Sequence, residues 1–257
     1  MLFRSPCTIF VTKKEIFMNI ALIGHGKMGK TIEEIAISRG HNIVCIIDVD
    51  NLDDFASDAF RSADVAIEFT TPATAVDNYR RAFAASVPVV SGTTGWLSRE
   101  QEVRKLVADS DASFFYTSNF SIGVNIFFAL NRYLAKIMNG FSQYDVAMHE
   151  IHHIHKLDHP SGTAISLACG ITDCLDRKSG WTENPDETDK LLITNERIGE
   201  VPGTHIVTYT SDVDAIKIEH EAFSRRGFAL GAVLAAEWLP GHKGWCSMND
   251  MLNFLND

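Results

Sequence analysis

The stretch N-I-A-L-I-G at residues 19–24, continued by H-G-K-M-G at residues 25–29, decides the fold of this chain. Its first part is a short apolar run that stops at a glycine, as buried parallel strands do. The glycines form the pattern G-x-G-x-x-G ahead of a helix predicted at residues 30–39. Such glycines allow a tight turn and close approach of the backbone to pyrophosphate, and the helix N-terminus supplies unpaired N–H groups. The stretch therefore predicts a dinucleotide-binding loop.

Short apolar strands continue to alternate with helices beyond this loop. Strands are predicted at residues 43–48, 63–69 and 87–91, with a helix at residues 73–86. This rhythm is typical of parallel sheets with right-handed crossovers. Asp48 ends the second strand, where a carboxylate can accept both ribose hydroxyls of NAD. The alternative is a plain glycine turn beside a solvated aspartate.

Two further loops leave the C-terminal ends of predicted strands, F-T-T-P at residues 69–72 and G-T-T-G at residues 92–95. Ligands of open parallel sheets bind just outside those ends. Threonine hydroxyls and glycine-exposed backbone suit the nicotinamide amide and ribose. Taken as a pair, the loops indicate the nicotinamide side of the same site.

The pattern changes after Asn119, which predicts a second domain. A long helix is predicted at residues 121–139, with an apolar face built from Ile122, Ile126, Leu130, Leu134 and Ile137. The remaining predicted elements are strands at residues 144–153, 204–210 and 215–220, helices at residues 163–176 and 228–238, and a polar surface loop at residues 181–189.

Composition limits the partners of the chain. It has 257 residues, of which 46% are hydrophobic, and a formal net charge of -10. An acidic chain without a sustained basic block is not expected to bind nucleic acid or an anionic membrane, and no apolar run approaches the roughly 20 residues that span a bilayer. The five cysteines form no C-x-x-C pair, which predicts free thiols in a reducing cytoplasm. Residues 1–17 are predicted to be a disordered tail or an over-long start, because Met18 stands directly before the first strand.

The densest chemical signal is E-I-H-H-I-H-K-L-D-H-P-S-G-T-A at residues 150–164. Ser161 is a suitable N-cap, and the N–H groups of Gly162 and Thr163 would point out of the helix start. This arrangement predicts an anion site, most naturally for a carboxylate. Lys156 adds a positive charge, and the adjacent histidines add donors that titrate near neutral pH.

A metal site is the main competing interpretation, because five histidines fall between His149 and His159. Neighbours on a strand point to opposite faces, so His152 and His153 cannot easily share one ion with His155. An H-E-x-x-H helix and a cysteine partner are also missing. We therefore expect no metal, and we expect His149, His155 and His159 to be structural or solvent-facing. Surface histidines without any role are the other alternative.

The pattern E-x-H-H-x-x-K-x-D-x-P-S-G-T-A resembles the signature of the 4-hydroxy-tetrahydrodipicolinate reductases, also called dihydrodipicolinate reductases. The resemblance covers nearly the whole chain from Met18. Other similar segments are F-T at residues 69–70, G-T-T-G at 92–95, S-N-F-S-I-G-V-N at 118–125, R-x-G-x-x-x-G-x-H at 197–205, S-R at 224–225 and F-A-x-G-A at 228–232. Residues 1–17 lie outside it. The short glycine loop resembles only one branch of the family, which leaves NADH and NADPH both open.

This resemblance implies an α/β fold. A Rossmann dinucleotide-binding domain would comprise residues 18–121 and 225–257, and an inserted α+β domain with a mixed sheet would comprise residues 122–224. The implied activity is NAD(P)H-dependent reduction of 4-hydroxy-tetrahydrodipicolinate, or its dehydrated form, in lysine and diaminopimelate biosynthesis by a cytoplasmic homotetramer. Two alternatives compete. A dehydrogenase of the aspartate or homoserine type would need a different catalytic pair, and an NAD(P)-sensing module would need only the first domain.

The resemblance also implies roles for individual residues. His152 is the general acid or base, and Lys156 is the second proton donor. The implied substrate carboxylate ligands are His153, Ser161, Gly162 and Thr163. The implied cofactor residues are Gly24, Gly26, Lys27, Met28 and Gly29 at the pyrophosphate, Asp48 at the adenosine ribose, Thr70, Gly92 and Thr94 near the nicotinamide ribose, and Phe69, Ser118, Phe120, Arg225 and Phe228 beside them.

Overall fold

The computed structural model describes residues 17–253. The predicted extension at residues 1–17 therefore lies outside the described residues, except for Phe17. In chain order the strands are β1 (Asn19–Ile23), β2 (Asn42–Ile47), β3 (Val65–Glu68), β4 (Val89–Ser91), β5 (Ser113–Tyr116), β6 (Asp145–His152), β7 (Trp181–Thr182), β8 (Leu191–Arg197), β9 (Thr204–Thr210), β10 (Ala215–Glu221) and β11 (Gly244–Cys246). The α-helices are α1 (Lys27–Ser38), α2 (Asp58–Arg61), α3 (Pro72–Ala84), α4 (Glu100–Asp109), α5 (Ile122–Met138), α6 (Gly162–Thr172), α7 (Arg226–Trp238) and α8 (Met248–Leu252).

The first sheet has six strands in the order β11-β5-β4-β3-β1-β2, and every neighbouring pair is parallel. The predicted Rossmann-like parallel sheet is therefore confirmed. Successive side chains of β1 point to opposite faces, so Ile20 and Leu22 join one apolar core and Ala21 and Ile23 join the other. Since β1 lies between β2 and β3, the loops that follow β1 and β3 border a crevice where the strand order reverses.

The second sheet has the order β10-β9-β6-β8-β7 and is mixed, as predicted. Helices α5 and α6 cover one of its faces and enclose a separate core around Met148, Leu167 and Val207. The alternate side chains of β6, among them Ala147 and His149, lie on the other face, which is partly open to solvent. No helix within residues 17–253 has both the length and the apolar character needed to cross a bilayer.

Helix α5 does not bury the face that the sequence predicted. The exposed fractions of Ile126, Leu130 and Ile137 are 46%, 46% and 45%. The reason is Asn131, whose Nδ2 donates a 3.0 Å hydrogen bond to the Leu167 carbonyl of α6. An amide side chain that is hydrogen-bonded can be buried, so Asn131 belongs to the inner face although it is polar. That face consists of Val124, Asn125, Phe127, Asn131, Ala135 and Met138.

Other boundaries also differ from the prediction. Trp181 and Thr182 begin the predicted surface loop but form β7, which pairs in parallel with the start of β8. Helices α2, α4 and α8 and the strands β5, β8 and β11 were not predicted. They are short or mix polar and apolar residues, so local periodicity does not mark them. The last of them, β11, returns the C-terminal segment to the first sheet beside β5. The exact domain boundaries stay a prediction.

Candidate active site

A cavity of about 460 Å³ lies at the C-terminal edge of the first sheet. Its walls come from the loop after β1, the end of β2, the loop after β3 and the first turns of α3. Open α/β sheets bind their ligands in this crevice. Of the predicted cofactor residues, the structure brings together in its lining Gly24, Gly26, Asp48, Phe69 and Thr70.

In the glycine loop, a side chain at Gly24 or Gly29 would collide with the backbone, whereas the space beside Gly26 is empty. Gly24 has a φ of +91°, and a Cβ there would lie 2.1 Å from the Phe69 carbonyl oxygen. A Cβ on Gly29 would lie 2.2 Å from the Gly24 oxygen, whereas one on Gly26 would meet nothing within 4 Å. Helix α1 begins at Lys27, three residues earlier than predicted, with Gly26 as its N-cap. The exposed backbone at Gly26 therefore suits close approach by an anionic ligand.

Asp48 stands at the rim of the cavity and is exposed. Its carboxylate accepts hydrogen bonds from the backbone N–H groups of His25, at 3.1 Å, and Val49, at 2.8 Å. These bonds fix the carboxylate beside the glycine loop. Sequence analysis missed Arg81 of α3, which lines the same cavity and donates to the Leu52 carbonyl at 3.3 Å. Its position on a helix gave no sign that it lines this cavity.

A second missed residue, Glu68, connects the two loops expected at the nicotinamide. Its side chain is fully buried at the end of β3, and burial raises the pKa of the carboxyl. It accepts hydrogen bonds from the hydroxyls of Thr70, Thr93 (2.8 Å) and Ser91 (2.7 Å). The Thr93 hydroxyl also accepts from the Thr70 N–H at 2.7 Å. One acidic group thus holds both loops in register.

The other predicted cofactor residues differ in exposure. Phe120 is buried in the core, with its ring centroid 5.7 Å from that of Phe69, so the structure does not place it in the lining of the cavity. Gly92 needs to be a glycine because a Cβ there would lie 2.2 Å from the Phe69 ring. Met28 and Phe228 are partly buried against the same core. The side chains that are exposed are those of Lys27, Thr94, Ser118 and Arg225.

The second part of the candidate site lies where β6 ends and α6 begins. Ser161 is the N-cap of α6, and its Oγ accepts the N–H of Ala164 at 3.1 Å. Within residues 17–253 the N–H groups of Gly162 and Thr163 have no acceptor. A Cβ on Gly162 would meet nothing within 4 Å. The helix start thus presents two free N–H donors to open space, as an anion site requires.

The predicted basic side chains lie at the end of β6 and in the segment that joins β6 to α6. His152, the last residue of β6, is buried, and His153 is half-buried with an Nδ1 that finds no partner among the described residues. Lys156 Nζ lies 2.9 Å from both carboxylate oxygens of Asp158. The three other histidines of the segment face solvent or the open side of the sheet and contact acidic groups; they are His149, His155 and His159.

A buried carboxylate, Glu150, lies behind these groups and was not predicted as a site residue. Both of its oxygens accept the Ser161 N–H at 3.1 Å, and Oε1 also accepts from Arg197 Nη2 at 3.2 Å. Oε2 lies 3.5 Å from His152 Nδ1 and 3.7 Å from His205 Nε2. The segment at residues 197–205, part of the family resemblance, is the sequence signal that could have revealed this cluster.

The structure groups a different set of possible metal ligands from the one weighed in the sequence. One ligand atom each from Glu150, His152 and His205 lie within 4.8 Å of one another. However, Ser161 already donates to both oxygens of Glu150, and the Arg197 guanidinium places a positive charge 3.2 Å away. A nearby positive charge opposes binding of a divalent cation. The expectation of no metal stays a prediction.

Burial of His205 predicts a loss of stability in acid. Desolvation, with the charges of His152 and Lys156, lowers the pKa of His205 to about 4 and outweighs the opposing effect of Glu150. The unfolded chain then binds a proton that the folded chain does not, so this contribution to stability is complete above about pH 6.5 and falls as the pH falls toward 4. Between about pH 7 and pH 5 this loss of stability amounts to roughly 2 kcal/mol. When the pH is lowered over this range, we expect the free energy of unfolding of His205→Gln, measured by denaturant titration, to fall by that much less than that of the wild type. Equal falls in the two proteins would contradict the lowered pKa of His205.

Comparison with known proteins covers both parts of this site. Residues 18–120 match the family model for the N-terminus of dihydrodipicolinate reductase, and residues 123–252 match the model for its C-terminus. The 4-hydroxy-tetrahydrodipicolinate reductase of Christiangramia forsetii is 48% identical over 242 residues, which cover 93% of this chain and 99% of that protein. The enzyme of the same name from Pelagibacter ubique is 33% identical over 246 residues, covering 92% and 94%.

A solved structure shares the fold. It is the dipicolinate-bound dihydrodipicolinate reductase from Paenisporosarcina sp. TG-14, with a TM-score of 0.73 and 20% identity, covering 92% of this chain and all of that one. An amine dehydrogenase from Mycobacterium smegmatis is more distant, with a TM-score of 0.53, 10% identity and coverage of 91% and 95%. Both likenesses concern the fold alone.

Proposed function

The chain belongs to the dihydrodipicolinate reductase family, and we propose that it reduces 4-hydroxy-tetrahydrodipicolinate, or its dehydrated form dihydrodipicolinate, to tetrahydrodipicolinate in lysine and diaminopimelate biosynthesis. The observation that carries the proposal is the arrangement of His152, Lys156 and the free N–H groups at the start of α6. The aspartate- or homoserine-type dehydrogenase and the NAD(P)-sensing module are not favoured, because the family match spans both domains and includes this arrangement.

The coenzyme is NADH or NADPH, and it supplies the hydride. The residues at the first sheet fit it. The open backbone at Gly26 and the N-terminus of α1 suit the pyrophosphate. Asp48 suits the hydroxyls of the adenosine ribose, and the Glu68 network holds the loops at residues 69–72 and 92–95 for the nicotinamide ribose. Arg225 and Phe228 approach from the start of α7.

The substrate is a cyclic dicarboxylate, and the start of α6 binds one carboxylate. The N–H groups of Gly162 and Thr163 are free to donate, with the positive end of the helix dipole behind them. Ser161 keeps the helix start in place through its cap to Ala164. The unpartnered His153 Nδ1 is a further polar group at the same edge. The N–H donors and His153 then orient the ring for hydride addition.

His152 and Lys156 handle the proton. His152 is the general acid or base, and burial lowers the pKa of its imidazole. A pKa below the ordinary value makes the proton easier to give up to a substrate atom. Lys156 Nζ exchanges its contact with Asp158 for the substrate and neutralises the charge that develops there.

We also infer that the enzyme is a cytoplasmic homotetramer with the domain boundaries expected from the sequence. The open face of the mixed sheet, which includes Ala147, His149, Ile151 and Ile206, supports assembly through that face. In a single chain the apolar residues of this face would be partly exposed to water, and assembly would cover them.

One assay separates the candidate functions. Oxidation of reduced nicotinamide coenzyme is followed by absorbance while the synthase that makes the substrate runs in the same cuvette, and separately with aspartate semialdehyde alone. The proposal expects oxidation only in the first mixture. Oxidation with the semialdehyde alone would favour the dehydrogenase, and binding of coenzyme without oxidation in either mixture would favour the sensing module.

We expect NADH to be used at least as well as NADPH. The Asp48 carboxylate repels a 2′-phosphate, and Val49 and Asp50 add no positive charge beside it. Lys27 and Arg81 are the cations that could offset Asp48, which would give use of both coenzymes. The measurement is kcat/KM for each coenzyme in the wild type, in Asp48→Ser and in the matched control Asp50→Ser. Asp48→Ser should shift the ratio toward NADPH, and Asp50→Ser should not. A tenfold wild-type preference for NADPH, or no shift in Asp48→Ser, would refute the expectation.

A further inference from the structure

Glu150 is a fully buried carboxylate whose neighbours belong to three different parts of the proposed site. Through the Ser161 N–H it contacts the start of α6, and through Arg197 it contacts the loop that carries Lys156. Through its Oε2 it faces the ring of His152. A buried charge is retained only where partners compensate it, and here the partners are the site itself.

Arg197 extends the reach of Glu150 into the Lys156 loop. Its Nη2 donates both to Glu150 Oε1 at 3.2 Å and to the Asp158 carbonyl at 2.8 Å, and its Nε donates to the Lys156 carbonyl at 3.4 Å. The guanidinium is therefore a bridge between the buried carboxylate and the backbone on either side of Leu157. A planar fork of this kind fixes direction as well as distance.

The ring of His152 has Nδ1 toward Glu150 and Nε2 toward Gly203. Its Nδ1 has no hydrogen-bond partner among the described residues, and the Glu150 oxygen 3.5 Å away is an acceptor on that side. Such contacts in uncomplexed sites often shorten when substrate binds. A Cβ on Gly203 would lie 3.0 Å from His152 Nε2, and Gly203 has a φ of +153°, so a side chain there would crowd this nitrogen.

We propose that Glu150 is a positioning residue of the reductase. It keeps one proton of the His152 ring on Nδ1, which leaves Nε2 to exchange a proton with the substrate. Through Arg197 and Ser161 it also holds the Lys156 loop and the anion site in a fixed relative position. The catalytic part of this inference rests on the proposed function. A carboxylate accepts hydrogen bonds and cannot donate them, so it selects the Nδ1–H tautomer. It also stabilises the protonated ring during proton transfer, as the buried acid of a catalytic triad does.

The chain contains a matched pair for the test. His155 and Glu200 also form a histidine–carboxylate pair, 3.0 Å apart, but both side chains are exposed. Glu150→Gln keeps the size of the side chain and places an amide against His152, whereas Glu200→Gln makes the same change in water. We expect Glu150→Gln to lower kcat by roughly 10²–10³-fold, because the amide can donate to Nδ1 and favour the wrong tautomer. Glu200→Gln should leave kcat within twofold.

The pH profile distinguishes positioning from simple damage to the structure. The groups that affect the pKa of His152 are Glu150, which raises it, and Lys156, Arg197 and His153, which lower it; the ring of His205 also lies 5.1 Å from the His152 ring. Loss of the Glu150 charge should therefore move the limb of the kcat profile that reports His152 to lower pH. Glu150→Asp, which keeps the charge, should recover part of kcat and return the limb toward its wild-type position. An unchanged limb in a folded Glu150→Gln variant would overturn the proposal.

A measurement on the wild type keeps the proposal testable if Glu150→Gln does not fold. Nitrogen-15 NMR of the full chain, with the His152 signals assigned by their loss in His152→Ala, reports which ring nitrogen carries the proton. We expect Nδ1–H in the wild type, and an Nε2–H ring would overturn the proposal. This readout needs no turnover. A wild type that fails to reduce the synthase product would thus refute the proposed function, whereas the NMR result would still decide the role of Glu150.

Discussion

Replacing His152 or Lys156 with alanine is expected to lower kcat by roughly 10²–10⁴-fold, the usual contribution of a positioned proton-transfer group. His152 is buried at the end of β6, and Arg197, which donates to the Lys156 carbonyl and to Glu150, joins the Lys156 backbone to the same cluster. Binding of coenzyme should hardly change, because neither residue belongs to the sheet that carries the glycine loop. The measurements are steady-state kinetics and coenzyme Kd by fluorescence titration.

Two other residues serve as controls for these variants. His155→Ala removes an exposed histidine from the same segment, and Lys190→Ala removes a lysine that is likewise paired to an acidic neighbour, Glu187. Both should retain most of the wild-type rate. If His152→Ala or Lys156→Ala kept more than about a third of the wild-type kcat, the role assigned to that residue would be wrong.

The parts of the fold that local sequence determines were predictable. The run at residues 19–24 is buried on both faces of a parallel sheet, which leaves a continuous apolar stretch that ends at Gly24. The helix that follows starts three residues earlier than predicted, because Gly29 was not recognised as part of its first turn. That position is set by the close approach of Gly29 to the Gly24 carbonyl, which is a tertiary contact and leaves no periodic signal.

The network around Glu150 depends on strand register and therefore could not be predicted. Glu150 lies opposite His205 in the antiparallel pairing of β6 with β9, and His152 lies opposite Arg197 in the parallel pairing with β8. Register cannot be read from one strand alone, and β8 was not predicted at all. A contact between distant residues also explains the wrong prediction for α5, because its inner face is set by the hydrogen bond from Asn131 to the Leu167 carbonyl, which leaves no local pattern in the sequence.

A methyl group added at Gly231 is expected to lower the free energy of unfolding by about 3 kcal/mol, at the upper end for overpacking. Gly231 lies on α7, where a Cβ would be 1.7 Å from the Phe120 carbonyl oxygen and 2.8 Å from its carbon. The obstacle is backbone, so no side-chain rotation relieves it, and α7 must move away from the core. Phe120 directly precedes Ser121, the N-cap of α5, so the same shift would disturb the connection between the two sheets.

Gly227 on the same helix provides the opposite case. A Cβ there would lie 3.9 Å from Ser121 Oγ, which is an ordinary contact. Gly227→Ala should therefore stabilise the protein by about 0.5 kcal/mol, because alanine loses less backbone freedom than glycine on folding. Denaturant unfolding without coenzyme measures both variants, which share a helix, a chemistry and an added volume. If both variants changed the free energy of unfolding in the same direction, the close contact between Gly231 and the Phe120 carbonyl would not be what fixes α7 against the first sheet.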